Sequence, residues 1–162
     1  MTQAELMRGD VVVASNRAAA GIYEDETGPL IVDFLTKLGF VVEPAVVVPD
    51  GEPVGAAIAA AIAAGSRVVI TTGGTGLTPT DRTPEVTRAL LDFEVPGISD
   101  AIRAYGISKN VPKAALTRGV AGVAGTCVVV NLPGSKGGVK DGIAVLRHIL
   151  IHAVEQAVGS DH

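Results

Sequence analysis

The sequence predicts a single-domain, three-layer α/β/α fold in which a mostly parallel β-sheet lies between two layers of helices. The chain has 162 residues, of which 48% are hydrophobic and 19% are charged, which suits one globular domain. Short β-branched runs without polar alternation are typical of strands buried on both faces of a parallel sheet. Helical patterns follow these runs through short connections, which favours right-handed crossovers with helices on both faces.

The first strand and helix are predicted from residues 11–39. The run at residues 11–14 is apolar and ends in a polar segment. A helix then begins with Thr27 as its N-cap and Pro29 in its first turn. Apolar residues recur at helical spacing until Gly39, which ends this helix.

Two further strands and a helix follow. Residues 40–48 form the second strand, which Glu43-Pro44 interrupts. An alanine-rich helix covers residues 53–64, and residues 68–70 form the third buried strand. The order β-α-β-α-β places ligands beyond the carboxyl ends of the strands.

The second half is less regular. A helix begins with Thr83 as N-cap and Pro84 at the first helical position. Residues 98–106 predict another helix, and segments 114–116 and 120–123 have strand character. A last buried strand at 126–130 leads into one C-terminal helix, whose predicted core stripe is Val139, Ile143, Leu146, Leu150, Ala153 and Ala157.

The acidic balance of the chain argues against nucleic-acid binding. The net charge is −4, whereas a nucleic-acid surface needs clustered Lys and Arg. Residues 1–8 lack the pattern of a signal peptide, and the apolar run at 55–65 is too short to cross a bilayer. We expect a cytoplasmic protein that binds neither nucleic acid nor a membrane. The single cysteine, Cys127, lies in an apolar run and predicts a buried residue.

The glycine- and hydroxyl-rich segment after the third strand is the strongest local signal for a binding site. Without Cβ atoms its backbone can approach a ligand closely, and successive N–H groups can bind an anion. The segment matches neither common nucleotide-binding fingerprint, and a plain tight turn is the alternative. The candidate binding residues are Thr72, Gly73, Gly74, Thr75 and Gly76.

Two carboxylates lie on the same predicted edge. Asp81 follows the glycine segment, and Asp50 follows the second strand. Two carboxylates beside a phosphate-binding loop suit Mg²⁺, which takes one or two carboxylates and completes its shell with water and phosphates. Taken separately, Asp50 also fits a turn residue before Gly51.

A second anion site is predicted where the last strand turns into the C-terminal helix. Ser135 and Lys136 stand at the start of that helix, where N–H groups attract anions. The alternative that Ser135 only caps the helix and that Lys136 only contacts solvent is equally open.

His148 and His152 have metal-ligand spacing on one predicted helix. No third ligand is apparent, and we interpret the two histidines as surface or interface residues.

The order of the motifs along the chain is also informative. Segment 72–76 is followed by Asp81 and then by Thr83-Pro84-Glu85. This pattern resembles the signature of the MogA/MoaB family of molybdenum-cofactor biosynthesis proteins. The resemblance implies one molybdopterin-binding domain over residues 1–162. Further matching motifs are Tyr23-Glu24-Asp25, Thr27-Gly28-Pro29, Pro96-Gly97 and Leu132-Pro133-Gly134-Ser135.

The resemblance implies a molybdopterin adenylyltransferase, which uses Mg-ATP to adenylylate molybdopterin and releases pyrophosphate. It implies that the glycine segment binds nucleotide and phosphate, and that Asp81 and Asp50 are catalytic carboxylates that hold Mg²⁺. It also places Asn131, Gly134 and Ser135 near the pterin phosphate. Relatives form trimers or hexamers, so the resemblance implies a homotrimer or hexamer, with a molybdenum-insertion protein as a partner.

Two positions depart from the family pattern. Asn16 stands where relatives commonly have Asp, and Lys136 follows Ser135 where many have proline. These departures leave open a MoaB-type protein that binds or carries molybdopterin without catalysis, or an assembly subunit of a molybdopterin complex.

Overall fold

A central sheet with helices on both faces forms the fold. The computed structural model describes residues 7–159, so most of the segment without a signal-peptide pattern lies outside the described residues. The strands are β1 (Arg8–Ala14), β2 (Val41–Val42), β3 (Val46–Val48), β4 (Val68–Thr72), β5 (Phe93–Glu94), β6 (Ala121–Ala124) and β7 (Cys127–Leu132). The helices are α1 (Asn16–Ala19), α2 (Thr27–Lys37), α3 (Glu52–Ala63), α4 (Thr83–Arg88), α5 (Pro96–Ser108), α6 (Lys136–Leu146) and α7 (Leu150–Ala157), with a 3-10 helix at Pro112–Leu116.

The sheet is parallel except at one edge. Its strand order is β2-β1-β4-β7-β6-β5, and β3 also pairs with β1. The strands β1, β2, β3, β4 and β7 run parallel, whereas β5 and β6 are antiparallel additions. The predicted three-layer, mostly parallel architecture is confirmed. The carboxyl ends of β1, β4 and β7 therefore meet at one edge, where the candidate site lies.

Side chains of the central strands alternate between two cores. On β4, Val68 and Ile70 pack on the α2, α6 and α7 side, whereas Val69 packs on the α3 side. Each of these three residues is 0% exposed. Burial on both faces explains why the central strands read as continuous apolar runs.

The predicted caps of two helices are wrong. The helix α2 begins at Thr27, and the carboxylate of Asp25 accepts hydrogen bonds from the N–H groups of Thr27 and Gly28 at 3.0 and 3.2 Å. A carboxylate two residues earlier reaches two free N–H groups, so it caps the helix instead of Thr27. The helix α4 begins at Thr83, whose hydroxyl makes no capping hydrogen bond.

Two other elements differ from the prediction. Residues 114–116, predicted to have strand character, belong to the 3-10 helix. The single C-terminal helix is two helices, because the N–H groups of His148 and Ile149 donate to the carbonyl oxygens three residues earlier, which tightens the chain at this point. After this break Val154, at 0% exposure, supplies the buried position, while Ala153 and Ala157 are half-buried.

None of the helices within residues 7–159 combines the length and apolar character needed to cross a membrane.

Candidate active site

The glycine loop, residues 73–76, is held between the end of β1 and the start of α4. Gly73 and Gly74 have φ angles of +91° and +68°. A Cβ on Gly73 would clash with the carbonyl oxygen of Ala14, and one on Gly74 would clash with the hydroxyl of Thr83. Both the backbone conformation and the packing therefore require glycine at these two positions.

Three backbone N–H groups of the loop are free to bind a ligand. Within residues 7–159, the N–H groups of Gly74, Thr75 and Gly76 donate to no other group of the chain. Adjacent free N–H groups form a favourable environment for an anion. The loop thus has the donors that a phosphate group needs.

Two cavities adjoin this loop and meet at it. The first cavity has a volume of about 910 Å³ and the second about 850 Å³. Both are lined by Gly74, Asp81 and Gly134. The first cavity is also lined by Tyr23, Asp50, Thr72, Gly73 and Lys136. The second cavity is also lined by Thr75, Gly76, Ser135, Lys109, Lys113 and Lys140.

One oxygen of the Asp50 carboxylate in the first cavity lacks a hydrogen-bond donor. This oxygen, Oδ1, is buried without a partner among the described residues, 3.0 Å from where a Cβ on Gly74 would lie. Burial raises the pKa of Asp50, and the nearby carboxylate of Asp81 raises it further. A buried carboxylate beside a second carboxylate is stabilised by a bound cation.

The carboxylate of Asp81 is fixed by its own turn. Its Oδ2 accepts hydrogen bonds from the N–H and the hydroxyl of Thr78 at 3.0 and 2.8 Å. The described residues contain no group of three or more His, Cys, Asp or Glu placed to hold a metal. Two carboxylates still match Mg²⁺, which takes its remaining ligands from water and phosphate.

Asn16 positions Asp50 from a distant part of the chain. The Oδ1 of Asn16 accepts a hydrogen bond from the backbone N–H of Asp50 at 3.0 Å. The preceding residue, Ser15, caps α1 by accepting from the N–H of Ala18 at 3.1 Å. The sequence identified Asn16 as a missing carboxylate, whereas the structure gives its amide a positioning contact.

Arg118, which the sequence analysis did not identify, ties the glycine loop to α4. Its guanidinium donates to the carbonyl oxygens of Gly76 and Asp81 at 2.9 and 2.8 Å. It also pairs with both carboxylate oxygens of Glu85, at 2.7 and 3.2 Å. The hydrogen bond from Arg118 lowers the pKa of Glu85. No local sequence signal marks this contact, since the paired residues are 33 positions apart.

The second cavity combines a helix N-terminus with cationic side chains. Ser135 is the N-cap of α6, and its Oγ accepts a hydrogen bond from the N–H of Gly138 at 3.0 Å. The capping interpretation is therefore confirmed, and the same residue lines the cavity. The Nζ of Lys109 donates a hydrogen bond to the Oδ1 of Asp141 at 3.0 Å. This hydrogen bond raises the pKa of Lys109. An anion here would meet both the helix dipole and nearby lysines.

The structure places Asn131 in the core instead of in either cavity. Its Nδ2 donates to the hydroxyls of Thr71 and Thr87 at 2.9 and 3.1 Å. Its Oδ1 accepts from the N–H of Val120 at 3.1 Å. This side chain joins two strands to α4 and contributes no free polar group to a ligand.

The other chemistry-bearing residues lie outside the site. His148 falls in the turn between α6 and α7, so the two histidines do not share one helix. His152 contacts Gln156 at 2.9 Å between ring and amide nitrogens. Cys127 is 1% exposed, which confirms the predicted buried residue, and burial raises the pKa of its thiol to about 12.

Comparisons with known proteins relate the chain to proteins of molybdenum-cofactor biosynthesis. The profile of the probable molybdopterin binding domain matches residues 10–152. The chain is 39% identical over 153 residues to the molybdopterin adenylyltransferase of Pyrococcus furiosus, covering 90% of each chain. It is 42% identical over 154 residues to the molybdenum cofactor biosynthesis bifunctional protein of Synechococcus elongatus, covering 94% of this chain and 48% of that one. The chain thus spans about half the length of the bifunctional relatives that it matches. The solved molybdopterin biosynthesis Mog protein from Mycobacterium ulcerans is 51% identical with a TM-score of 0.89, covering 93% of this chain and 99% of that chain.

Proposed function

The chain belongs to the family of molybdopterin-binding domains found in molybdenum-cofactor biosynthesis proteins, and we propose that it is a molybdopterin adenylyltransferase. The resemblance to the MogA/MoaB proteins is confirmed. The observation that carries the proposed activity is the meeting of two cavities at one glycine loop. Such a site can hold two anionic substrates with their phosphate groups in contact.

The first cavity suits Mg-ATP. Asp81 and the unpartnered Oδ1 of Asp50 fit a magnesium ion, which would complete its shell with water and phosphate oxygens. When bound, Mg²⁺ offsets the charge of the triphosphate and polarises its phosphorus atoms. Arg17 and Lys136 line the same cavity, and the Nζ of Lys136 is paired with the carboxylate of Glu26 at 3.8 Å.

The second cavity suits molybdopterin. Its lining includes the apolar side chains of Leu77 and Leu116 as well as lysines, which fits a ring system that ends in a phosphate. The N-terminus of α6 and Ser135 would bind that phosphate next to Gly134. Gly134 also lines the first cavity, so this position brings the phosphate to the nucleotide.

The proposed reaction is a nucleotidyl transfer. An oxygen of the terminal phosphate of molybdopterin forms a bond to the α-phosphorus of ATP. The bond from that phosphorus to the oxygen bridging to the β-phosphate breaks, and its electron pair leaves with pyrophosphate. The attacking phosphate is already anionic, so the side chains need only position the substrates and offset their charges.

The geometry favours the enzyme over a non-catalytic carrier. With Asn16 in place of Asp, the first cavity still has Asp50 and Asp81 beside the glycine loop, and Glu24, Asp25 and Glu26 also line it. Two carboxylates suffice for Mg²⁺ with a phosphate substrate. A carrier of molybdopterin alone would gain nothing from an unpartnered buried carboxylate beside the loop.

Oligomeric state, location and a partner complete the proposal. We propose a trimer or hexamer, supported by large apolar side chains outside the two cavities that are exposed in one chain, among them Val41 and Phe93 at 54% each. Use of ATP supports a cytoplasmic location. Since adenylylated molybdopterin needs a consumer, a molybdenum-insertion protein is the proposed partner. Light scattering during size exclusion would detect the oligomer, and a monomer at micromolar concentration would contradict it.

Labelled ATP tests the proposed activity directly. With ATP labelled at the α-phosphate, we expect the label to appear on molybdopterin in an amount equal to the pyrophosphate released. With ATP labelled at the γ-phosphate, the label should appear in pyrophosphate alone. Binding of molybdopterin without any label transfer would favour the carrier interpretation.

A further inference from the structure

We infer that Tyr23 binds the nucleobase of ATP by stacking its ring against it in the first cavity. This inference rests on the proposed function, because it assigns a residue of the cavity that we propose for Mg-ATP. It concerns affinity for the base, whereas the carboxylates and the glycine loop are assigned to the metal ion and the phosphates.

The scarcity of aromatic residues makes Tyr23 distinctive. The whole chain has two Tyr, three Phe and no Trp. Phe34 and Phe40 are buried in the core at 8% and 5% exposure. Phe93 lies on the edge strand β5, and Tyr105 lies on α5 beneath Lys109. Among these five residues, Tyr23 alone lines the first cavity.

The ring of Tyr23 is open to a ligand although its hydroxyl is anchored. Tyr23 is 51% exposed, and its hydroxyl is 2.8 Å from the Oγ of Ser15. Ser15 is in turn fixed as the N-cap of α1. An exposed aromatic face that is held at one end loses little conformational freedom when a planar base stacks on it.

The residue that holds Tyr23 is also next in sequence to the residue that holds Asp50. Ser15, which holds Tyr23, is followed directly by Asn16, whose Oδ1 binds the N–H of Asp50 at 3.0 Å. Two consecutive residues after β1 therefore hold the hydroxyl of Tyr23 and the backbone of Asp50. Tyr23 and Asp50 line the same cavity, so the base would lie at Tyr23 and the phosphates at Asp50.

Stacking predicts a particular pattern of affinity. Aromatic rings stack on any base, so Tyr23 should favour nucleotides over bare polyphosphate without selecting adenine over guanine. Removal of the ring should weaken Mg-ATP binding about tenfold. Binding of Mg-tripolyphosphate, which has no base, should not change.

Two single-tyrosine proteins test the inference by fluorescence. Because the chain has two tyrosines and no tryptophan, Tyr105→Phe leaves Tyr23 as the emitter, and Tyr23→Phe leaves Tyr105 as the matched control. We expect Mg-ATP to quench the emission of Tyr23 along the same curve as its calorimetric binding. Mg-tripolyphosphate should not quench it, and neither ligand should change the emission of Tyr105 beyond the absorbance correction.

Calorimetry with Tyr23→Leu completes the test, because Leu keeps the apolar bulk without a ring. The inference is supported if this variant loses affinity for Mg-ATP and keeps its affinity for Mg-tripolyphosphate. Equal losses for both ligands would show a structural role for Tyr23 and overturn the inference. Binding of Mg-ATP without quenching would overturn it as well, while leaving the proposed function intact. If molybdopterin binds but Mg-ATP does not, the proposed function fails and the stacking fails with it.

Discussion

Replacing Arg118 with Met tests how Asp81 is held in place. The guanidinium donates to the carbonyl oxygens of Gly76 and Asp81 at 2.9 and 2.8 Å. It also forms a two-point ion pair with Glu85. Met keeps the apolar stem of the side chain and removes all of these donors. The segment that carries Asp81 then loses its connection to residue 118.

The expected loss of stability for Arg118→Met is about 2–3 kcal/mol. A desolvated hydrogen bond to a charged group contributes about 1.5–3 kcal/mol. The side chain of Arg118 is 36% exposed, so we assign about 1 kcal/mol to each carbonyl bond and at most about 1 kcal/mol to the ion pair. For a chain of 162 residues, the resulting fall in Tm is about 5–10 °C.

Circular dichroism melts at fixed protein concentration measure this stability, and calorimetry measures Mg-ATP affinity. We expect the affinity of Arg118→Met for Mg-ATP to fall at least about tenfold, because loss of a group that orients a metal ligand has an effect of this size. Arg8→Met is the matched control. It removes a two-point pair with Asp10, at 2.8 and 3.0 Å, from the opposite end of β1. It should leave Mg-ATP affinity unchanged.

Two results would refute this reasoning. If Arg118→Met lowers Tm but binds Mg-ATP like the parent, Asp81 is positioned without Arg118. If Arg8→Met loses as much affinity as Arg118→Met, the effect is general destabilisation.

Three further substitutions probe the two cavities and the loop. Asp50→Asn should melt at a higher temperature than the parent at neutral pH without Mg²⁺, because the pKa of Asp50 is raised above its ordinary value of 3.8 and its ionised form costs stability. This difference in Tm should shrink as the pH falls toward 3.8, and a lower Tm at neutral pH would contradict the direction of the pKa shift. Ser135→Asp should weaken molybdopterin binding in an equilibrium titration with Tm nearly unchanged, since Asp also caps a helix but repels phosphate; an unchanged affinity would exclude Ser135 from the site. Gly74→Ala should cost about 2 kcal/mol or more, because φ is +68° and the new methyl group meets Thr83. Its control Gly137→Ala, where a Cβ meets nothing within 4 Å, should not lower Tm.

The central strands and the glycine loop could be predicted because their signals are local. The apolar run before Thr71 marks a strand buried on both faces, and three glycines after it mark a loop at the carboxyl end. Asp50 and Asp81 follow from the same topology, since parallel strands bring their carboxyl ends to one edge. The structure brings both carboxylates into one cavity.

The antiparallel edge was harder to predict because its strands are short. The strand β5 has two residues and β6 has four, too few for a clear alternating pattern. Their pairing depends on the neighbouring β7, which local sequence does not encode. The 3-10 helix at Pro112–Leu116 has only five residues, which is too short for a helical period to mark it in the sequence.

The contacts that position the site were not predictable because they join distant residues. Asn16 and Asp50 are 34 positions apart. The resemblance implies that Asn131 lies near the pterin phosphate, and the expected strand at residues 126–130 stops one residue before it. The strand β7 continues to Leu132, so Asn131 pairs with Thr71 inside the sheet and turns into the core.

The most direct test of the central claim is the rate of pyrophosphate release by the Asp81→Asn variant. We propose that Asp81 helps to bind a magnesium ion against a triphosphate at the glycine loop, where the two substrates meet. Asn keeps the size of the side chain and removes the charge that holds the metal. Asp33→Asn, which changes an exposed carboxylate on α2, is the control and should react like the parent.

In the presence of molybdopterin and Mg-ATP, we predict that Asp81→Asn releases pyrophosphate at least about a hundredfold more slowly than the parent. Its affinity for molybdopterin should stay within a few-fold of the parental value. A variant that keeps most of its pyrophosphate release, or that loses molybdopterin binding together with catalysis, would contradict the account.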